Sequence, residues 1–274
     1  APSVANRFIS ERMGMDANQQ AQSTWLNART RCSMYLAATV LAGCAAPGSP
    51  PMAPDASASM PVGFVTLASL VPDAVQDMRY YSANNFVGRP VAAYDAATCI
   101  LSEPAALALQ AAQVELRAKG MTLKVFDCYR PQAAVDDFVH WGRDLSDQKT
   151  TPAFYPDVPK EELFQRGYIA EKSGHSRGST VDMTVVVMDG QRASQVLRGP
   201  LADGMDADMG TPFDWFGTQS HTEDRTLSPD VQHNRQWLRA LMQRQGFRNL
   251  PEEWWHYTLQ PEPYPDRYFN FGVN

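Results

Sequence analysis

Ser173-Gly-His175-Ser-Arg-Gly178-Ser-Thr-Val-Asp182 reads as a small-residue turn feeding a strand. Val181, Met183, Val185 and Val187 fall on one side of residues 179–188, with Asp182, Thr184 and Val186 on the other. That is the period of two expected of a strand. His175 in the turn and Asp182 on the strand can converge, because the turn folds back beside the strand's start. Far downstream, Glu253-Trp-Trp-His256 adds a second imidazole and a second carboxylate. Two imidazoles and one carboxylate form a donor set for zinc, which keeps a fourth position for water when three protein ligands hold it. Glu253 is then free to act as a base, and a metallopeptidase is the leading reading. Each motif alone is weak. A histidine in a polar loop is ordinarily solvated, and Trp254 and Trp255 would by default be core. The spacing of Glu253 and His256 also sets them on opposite faces of a regular strand, so a bulge or the strand's beginning must turn one of them.

A third segment joins these two. Asp127-Cys-Tyr-Arg130-Pro131 places an arginine where a strand gives way to a helix. An isolated arginine there would ordinarily make a surface salt bridge. Beside a hydrolytic metal it has a specific task, to meet the charge that develops on the scissile carbonyl oxygen.

The surrounding elements follow from local pattern. Ser102, Pro104 and Gly120 suit the N-cap, first turn and C′ position of a helix with Leu107, Ala111, Val114 and Ala118 at helical spacing. Residues 121–127 alternate like a strand, and Pro131 can open a second helix with Val135, Phe138, Val139 and Gly142 on its face. Residues 146–170 read as a long, proline-broken loop of functional character. A last helix runs from Ser228-Pro229 to Gly246, apolar at Val231, Leu238, Leu241 and Met242, and residues 253–259 read as a final strand. Helices and strands interleave without a regular βαβ beat. The expected class is α+β, one catalytic domain around a mainly antiparallel sheet flanked by helices.

Composition narrows the function classes. The chain has 274 residues, 44% hydrophobic and 20% charged, ordinary for a globular protein with a real core. A formal net charge of −6 and the lack of any basic run argue against a nucleic-acid partner. His140, His221 and His233 lie away from ligand partners and read as surface or supporting residues, and no serine sits in a nucleophile-elbow context.

The amino-terminal region reads as an export signal. Arg29 and Arg31 precede an apolar run from Met34 to Ala42, ending in Leu41-Ala-Gly-Cys44. This ending resembles the bacterial lipoprotein signal, in which the cysteine is lipidated; the alternative is a short buried helix with an incidental cysteine. The expected organisation is an extension and signal over 1–43, an Ala/Pro/Ser-rich tether over 44–61 and the folded domain over 62–274. Membrane contact would run only through a lipid on Cys44, placing the protein in the cell envelope on the periplasmic side. Cys99 and Cys128 then remain as a disulfide candidate, with two buried thiols as the alternative.

Tyr129-Arg130-Pro131, Ser-Gly-His-Ser-Arg-Gly-x-x-x-Asp, Met209-Gly-x-x-Phe-Asp214 and Glu-Trp-Trp-His-Tyr, in this order, resemble the motifs of the VanX-type D-alanyl-D-alanine dipeptidases. These are zinc enzymes of the fold shared with D-Ala-D-Ala carboxypeptidases and the hedgehog signalling domain. The resemblance covers roughly residues 62–274. It implies one zinc ion on His175, Asp182 and His256, Glu253 as general base and then acid, and Arg130 as transition-state stabiliser. It further implies that Ser173 and Asp214 hold the free amino group of a small dipeptide substrate. The stretch from Asp189 to Asp206 is longer than in the shorter relatives, which bears on where Asp214 falls. Two other functions compete: a D,D-carboxypeptidase acting on peptidoglycan stem peptides, and a non-catalytic wall-binding lipoprotein using the same pocket.

Overall fold

Residues 59–274 are described by the computed structural model of this chain. The expected signal over 1–43, Cys44 and the tether as far as residue 58 lie outside the described residues. Among the described residues no helix is long and apolar enough to cross a membrane.

The centre of the fold is a strand hidden on both faces. β5 (Thr180–Val187) is buried at every position, which its run of valines permits and a half-exposed strand would not. It pairs antiparallel with β4 (Met121–Asp127) on one side and with β7 (His256–Leu259) on the other. β2 (Val75–Gln76) adds to β4 and β6 (Phe247–Asn249) to β7, giving a five-stranded sheet of order β2-β4-β5-β7-β6 among the described residues. The β2–β4 pair is parallel, so the sheet is mixed. β1 (Phe64–Thr66) and β3 (Ile100–Ser102) form a separate antiparallel pair. The class is α+β, with helices flanking the sheet.

α1 (Glu103–Ala118) follows β3 directly. Ser102 stands at its N-cap position, yet its hydroxyl pairs with Ser179 Oγ at 2.8 Å rather than with a helix N–H. The buried face of α1 is Ala105, Ala106, Leu109, Ala112, Gln113 and Leu116. The stripe expected to face the core is turned outward: Leu107 is 46% and Val114 61% exposed, and Ala111 and Ala118 are exposed too. Both stripes satisfy helical spacing, so periodicity alone cannot choose between them. The alanine-rich stripe permits the closer approach. Gln113, buried on that face, donates to Asp73 and Thr122 and accepts from the Leu123 N–H, which ties the helix to β4.

Gly120, at φ 72°, turns the chain from α1 into β4, and an added Cβ would lie 2.8 Å from the Asp189 carbonyl. α2 (Gln132–Arg143) starts after Pro131 and buries Val135, Phe138, Val139 and Gly142, the face its pattern marks. The 146–170 segment holds a short helix, α3 (Thr151–Phe154), and a 3-10 turn at Lys160–Glu162. Lys160 pins it by donating to the Asp144 and Asp147 carbonyls at 2.8 and 2.5 Å, with its ammonium 3.8 Å from the Trp141 ring centre. After β5 comes α4 (Gly190–Ala193). α5 (Pro229–Arg244), capped by Ser228, then leads through Gly246 into β6.

The last strand is shorter than its sequence suggests. It begins at His256, and Glu253–Trp255 form the turn before it. That turn frees Glu253 from strict alternation and lets it share a side with His256. Cys99 and Cys128 are joined in a disulfide, with Cα atoms 5.3 Å apart.

Candidate active site

Strand register sets the site. Asp127 at the end of β4 stands opposite Asp182 on β5, and Asp182 stands opposite His256 on β7. A register shift between Val125 and Asp127 accompanies this alignment. His175 reaches the same place from the 3-10 turn Gly174–Arg177, which ends at Gly178 with φ 80°. A Cβ on Gly178 would sit 2.2 Å from the Phe64 ring, so only glycine lets the turn close against β1.

His175 Nε2 lies 3.2 Å from Asp182 Oδ2 and 3.4 Å from His256 Nδ1. His256 Nδ1 lies 3.1 Å from Asp182 Oδ1 and 3.3 Å from Glu253 Oε2. The orientation of His175 is fixed from behind, where Nδ1 donates to the Cys128 carbonyl at 2.7 Å. That leaves Nε2 as the lone-pair donor facing the other ligand atoms. Asp182 Oδ1 is buried, and its approach to His256 Nδ1 at 3.1 Å lacks hydrogen-bond geometry. Burial opposes charge on Asp182, but the two imidazoles overcome it and hold the carboxyl well below its usual range. Burial likewise works to lower His256, and the close carboxylates of Asp182 and Glu253 outweigh it, pushing the imidazole up to about 10. An orphaned carboxylate oxygen beside two converging ring nitrogens fits a cation shared among them, and the N,N,O donor set suits zinc. Among the described residues these three form the group whose ligand atoms all lie within 4.8 Å of one another.

Arg130 sits beside this centre. Its guanidinium is held by Asp127 Oδ2 at 2.8 and 2.9 Å and lies 3.8 Å from Asp182 Oδ2. The rings of Tyr80 and Phe138, packed edge-to-face against each other, each lie 5.0 Å from it. Despite burial, the charge of Asp127 keeps it firmly protonated. Ser173 Oγ accepts from the His175 N–H at 3.2 Å and stands 3.5 Å from Arg130 Nη1.

Asp214 is brought into the same cavity despite the long stretch before it. Tyr80 donates to its Oδ2 at 2.9 Å. Burial and then the charge of Asp182 push the Asp214 carboxyl well above its usual range. Arg235, fully buried, fastens the segment that carries it by donating to the Met209, Gln219 and His221 carbonyls at 2.8, 2.8 and 2.7 Å. Thr211 Oγ1 in that segment accepts from Trp254 Nε1 at 2.9 Å, so the Asp214 segment and the Glu253 turn are one assembly.

The cavity holding Arg130, Ser173, His175, Asp182, Asp214, Glu253 and His256 has a volume of about 220 Å³. This falls below the ~300–1,000 Å³ of pockets for drug-sized ligands and admits a small molecule. Phe138, Tyr168 and Phe216 add apolar wall, with Tyr168 stacked on Phe216 at 4.9 Å. Cys99 and Cys128 lie outside the cavity lining. His233 bonds the Val196 carbonyl at 2.8 Å, and it, His140 and His221 also stand apart from the cavity.

Three participants escape sequence reasoning. Asp127 appears in a quoted motif without a role, although its position three residues before Arg130 is a usable signal. Tyr94, which donates to Asp127 Oδ1 at 2.6 Å, and Tyr80, on the 3-10 turn Arg79–Tyr81, come from segments with no pattern to mark them.

A mixed sheet flanked by helices, with two imidazoles and a carboxylate converging beside a free glutamate, defines a metallopeptidase-type enzyme. The M15 peptidase family, described as D-ala-D-ala dipeptidase, matches residues 60–274, and the chain belongs to that family. Similar proteins named D-alanyl-D-alanine dipeptidase come from Enterococcus faecalis, 38% identical over 212 residues, which is 77% of this chain and 98% of the relative. Another is from Streptomyces coelicolor, 37% identical over 210 residues (77% and 98%). A third, from Escherichia coli, is 31% identical over 203 residues (74% and 88%).

Proposed function

We propose that this enzyme hydrolyses D-Ala-D-Ala to two molecules of D-alanine, with zinc bound by His175, Asp182 and His256. The observation that carries this reading is the convergence of the three ligand atoms with Glu253, Arg130 and Asp214 in one cavity of about 220 Å³. When bound, the ion supplies Lewis acidity, acidifying water and polarising a carbonyl oxygen. Glu253, 3.3 Å from His256, takes the proton of the attacking water and later returns it to the departing amine. Arg130, held rigid by Asp127 and two rings, faces the negative charge that develops on the carbonyl oxygen. Asp214, oriented by Tyr80, and Ser173 receive the substrate's ammonium group; transfer of charge to Asp214 is favoured once that cation is present.

An amine-binding carboxylate separates this activity from D,D-carboxypeptidase action, because an acylated stem peptide offers no ammonium group. The test is turnover of D-Ala-D-Ala and of N-acetyl-D-Ala-D-Ala by purified enzyme, with and without chelator. Rapid, chelator-sensitive cleavage of the free dipeptide alone is expected. Comparable rates on both would overturn the dipeptidase reading, and no turnover on either would support the wall-binding alternative.

We further propose an envelope location, with the chain anchored through lipid on Cys44 and acting in wall turnover or dipeptide scavenging. The Leu-Ala-Gly-Cys44 ending and the Cys99–Cys128 disulfide, at home in an oxidising compartment, support it. Labelled fatty acid should enter the intact chain and not Cys44→Ala; equal labelling would refute the anchor.

A further inference from the structure

The link between β4 and α2 touches the site at three points within four residues. Asp127 holds Arg130, the Cys128 carbonyl accepts from His175 Nδ1 at 2.7 Å, and Arg130 itself enters the cavity. This short link is anchored to the smaller β1–β3 pair as well as to the sheet that carries Asp182 and His256. Cys128 Sγ is bonded to Cys99 Sγ, and both residues are fully buried. The Tyr129 N–H donates to the Ile100 carbonyl at 2.8 Å. Cys99 is fixed in turn, its N–H donating to Gln76 Oε1 at 2.7 Å and its carbonyl accepting from the Leu67 N–H at 2.8 Å.

We infer that the Cys99–Cys128 disulfide is a positioning element of the metal centre, so that the affinity for metal depends on the redox state of this pair. The inference rests on the metal reading given above. A ligating imidazole needs its second nitrogen hydrogen-bonded so that the first presents its lone pair in the right direction, and here the Cys128 carbonyl is the partner. Reduction by a dithiol transfers two electrons and two protons, breaking the S–S bond to give two thiols while the reductant closes to its own disulfide. Two unbonded sulfurs must then move apart to van der Waals separation inside a packed interior that has no slack to absorb it. The Cys128 carbonyl is three bonds from the sulfur-bearing Cβ and moves with it. His175 Nε2 loses its fixed direction.

The experiment compares zinc affinity, by competition with a chromophoric chelator, in the parent chain and in Cys99→Ala/Cys128→Ala. Leu109→Ala, buried in α1 away from the cavity, serves as a control for general destabilisation. The expected result is about 10- to 100-fold weaker zinc binding in the double variant, the range found when a ligand's supporting partner is lost, and no comparable change in the control. Affinity within about twofold of the parent, or an equal loss in Leu109→Ala, would overturn the inference. Should the double variant not fold, the zinc-loaded parent is treated with a phosphine, which reduces the disulfide and takes oxygen from water to become its oxide. Zinc release that keeps pace with the appearance of two thiols beyond those titrated before reduction supports the inference; two such additional thiols with zinc retained overturn it. A parent that binds no zinc defeats the metal reading itself, a separately visible outcome.

Discussion

The Tyr80 hydroxyl donates to Asp214 Oδ2 at 2.9 Å, joining residues 134 positions apart across the cavity. This bond orients a carboxylate whose environment disfavours its charge. Burial, reinforced by Asp182, holds the Asp214 carboxyl well above its ordinary value. The sign of the stability effect follows. Above about pH 4 the unfolded chain sheds a proton that the folded chain retains, so stability falls as pH rises toward the folded value. Asp214→Asn keeps an acceptor for Tyr80 and has no such penalty. Its melting temperature should match the parent's near pH 4 and exceed it at pH 8, while kcat/KM on the free dipeptide drops by about 10- to 100-fold. A scan of melting temperature against pH, paired with steady-state kinetics, checks both halves.

Arg130 and Asp127 form a pair that neither partner can leave cheaply. Arg130→Ala should lower kcat by about 10²–10³ with zinc retained. It should also destabilise the fold by about 3–5 kcal/mol, because Asp127 is left buried without its cation. Adding Asp127→Asn should recover much of that stability and none of the activity. Denaturant titrations and kinetics on the two variants measure the split.

Metal removal gives a different signature. Zinc at 100 times its dissociation constant should raise stability by about 2.7 kcal/mol, visible as a melting shift reversed by chelator. His175→Ala should lose both the shift and the bound zinc, while Glu253→Gln should keep both and lose turnover.

Arg235 acts at longer range. Arg235→Met roughly preserves volume but strands the Met209 and Gln219 carbonyls in the interior, each at about 1–3 kcal/mol, while the His221 carbonyl keeps the Asp224 N–H. The segment carrying Asp214 and Phe216 should loosen. At temperatures where the variant stays folded, KM should rise more than kcat falls, measured against the parent under the same conditions.

The catalytic half of the molecule was more legible than its frame. β4 and α2 follow from alternation, Pro131 and an apolar stripe, and β5 from its period of two, although burial on both faces hides Asp182, Thr184 and Val186 as fully as the valines. His175, Asp182 and His256 could be read as one group because the first two share a turn-and-strand unit and His256 heads the neighbouring strand. β1, β2, β3 and β6 have only two or three residues each, too few for alternation to register. The orientation of α1 was unreadable for the opposite reason, since two stripes of equal period compete and only the neighbouring sheet decides. Tyr80 and Tyr94 gain their roles through contacts 134 and 33 positions away, which no local pattern encodes.

The stretch between Asp189 and Asp206 contributes nothing to the cavity lining. It rejoins β5 at the bridge of Val186 with Asp206, so its length is absorbed before the segment leading to Asp214. Its outer turn at Arg198-Gly199-Pro200 is exposed, and Gly199 has open space around it. This makes the turn a natural point for grafting a fluorescent reporter or affinity epitope, letting the enzyme be tracked in living cells with its chemistry undisturbed.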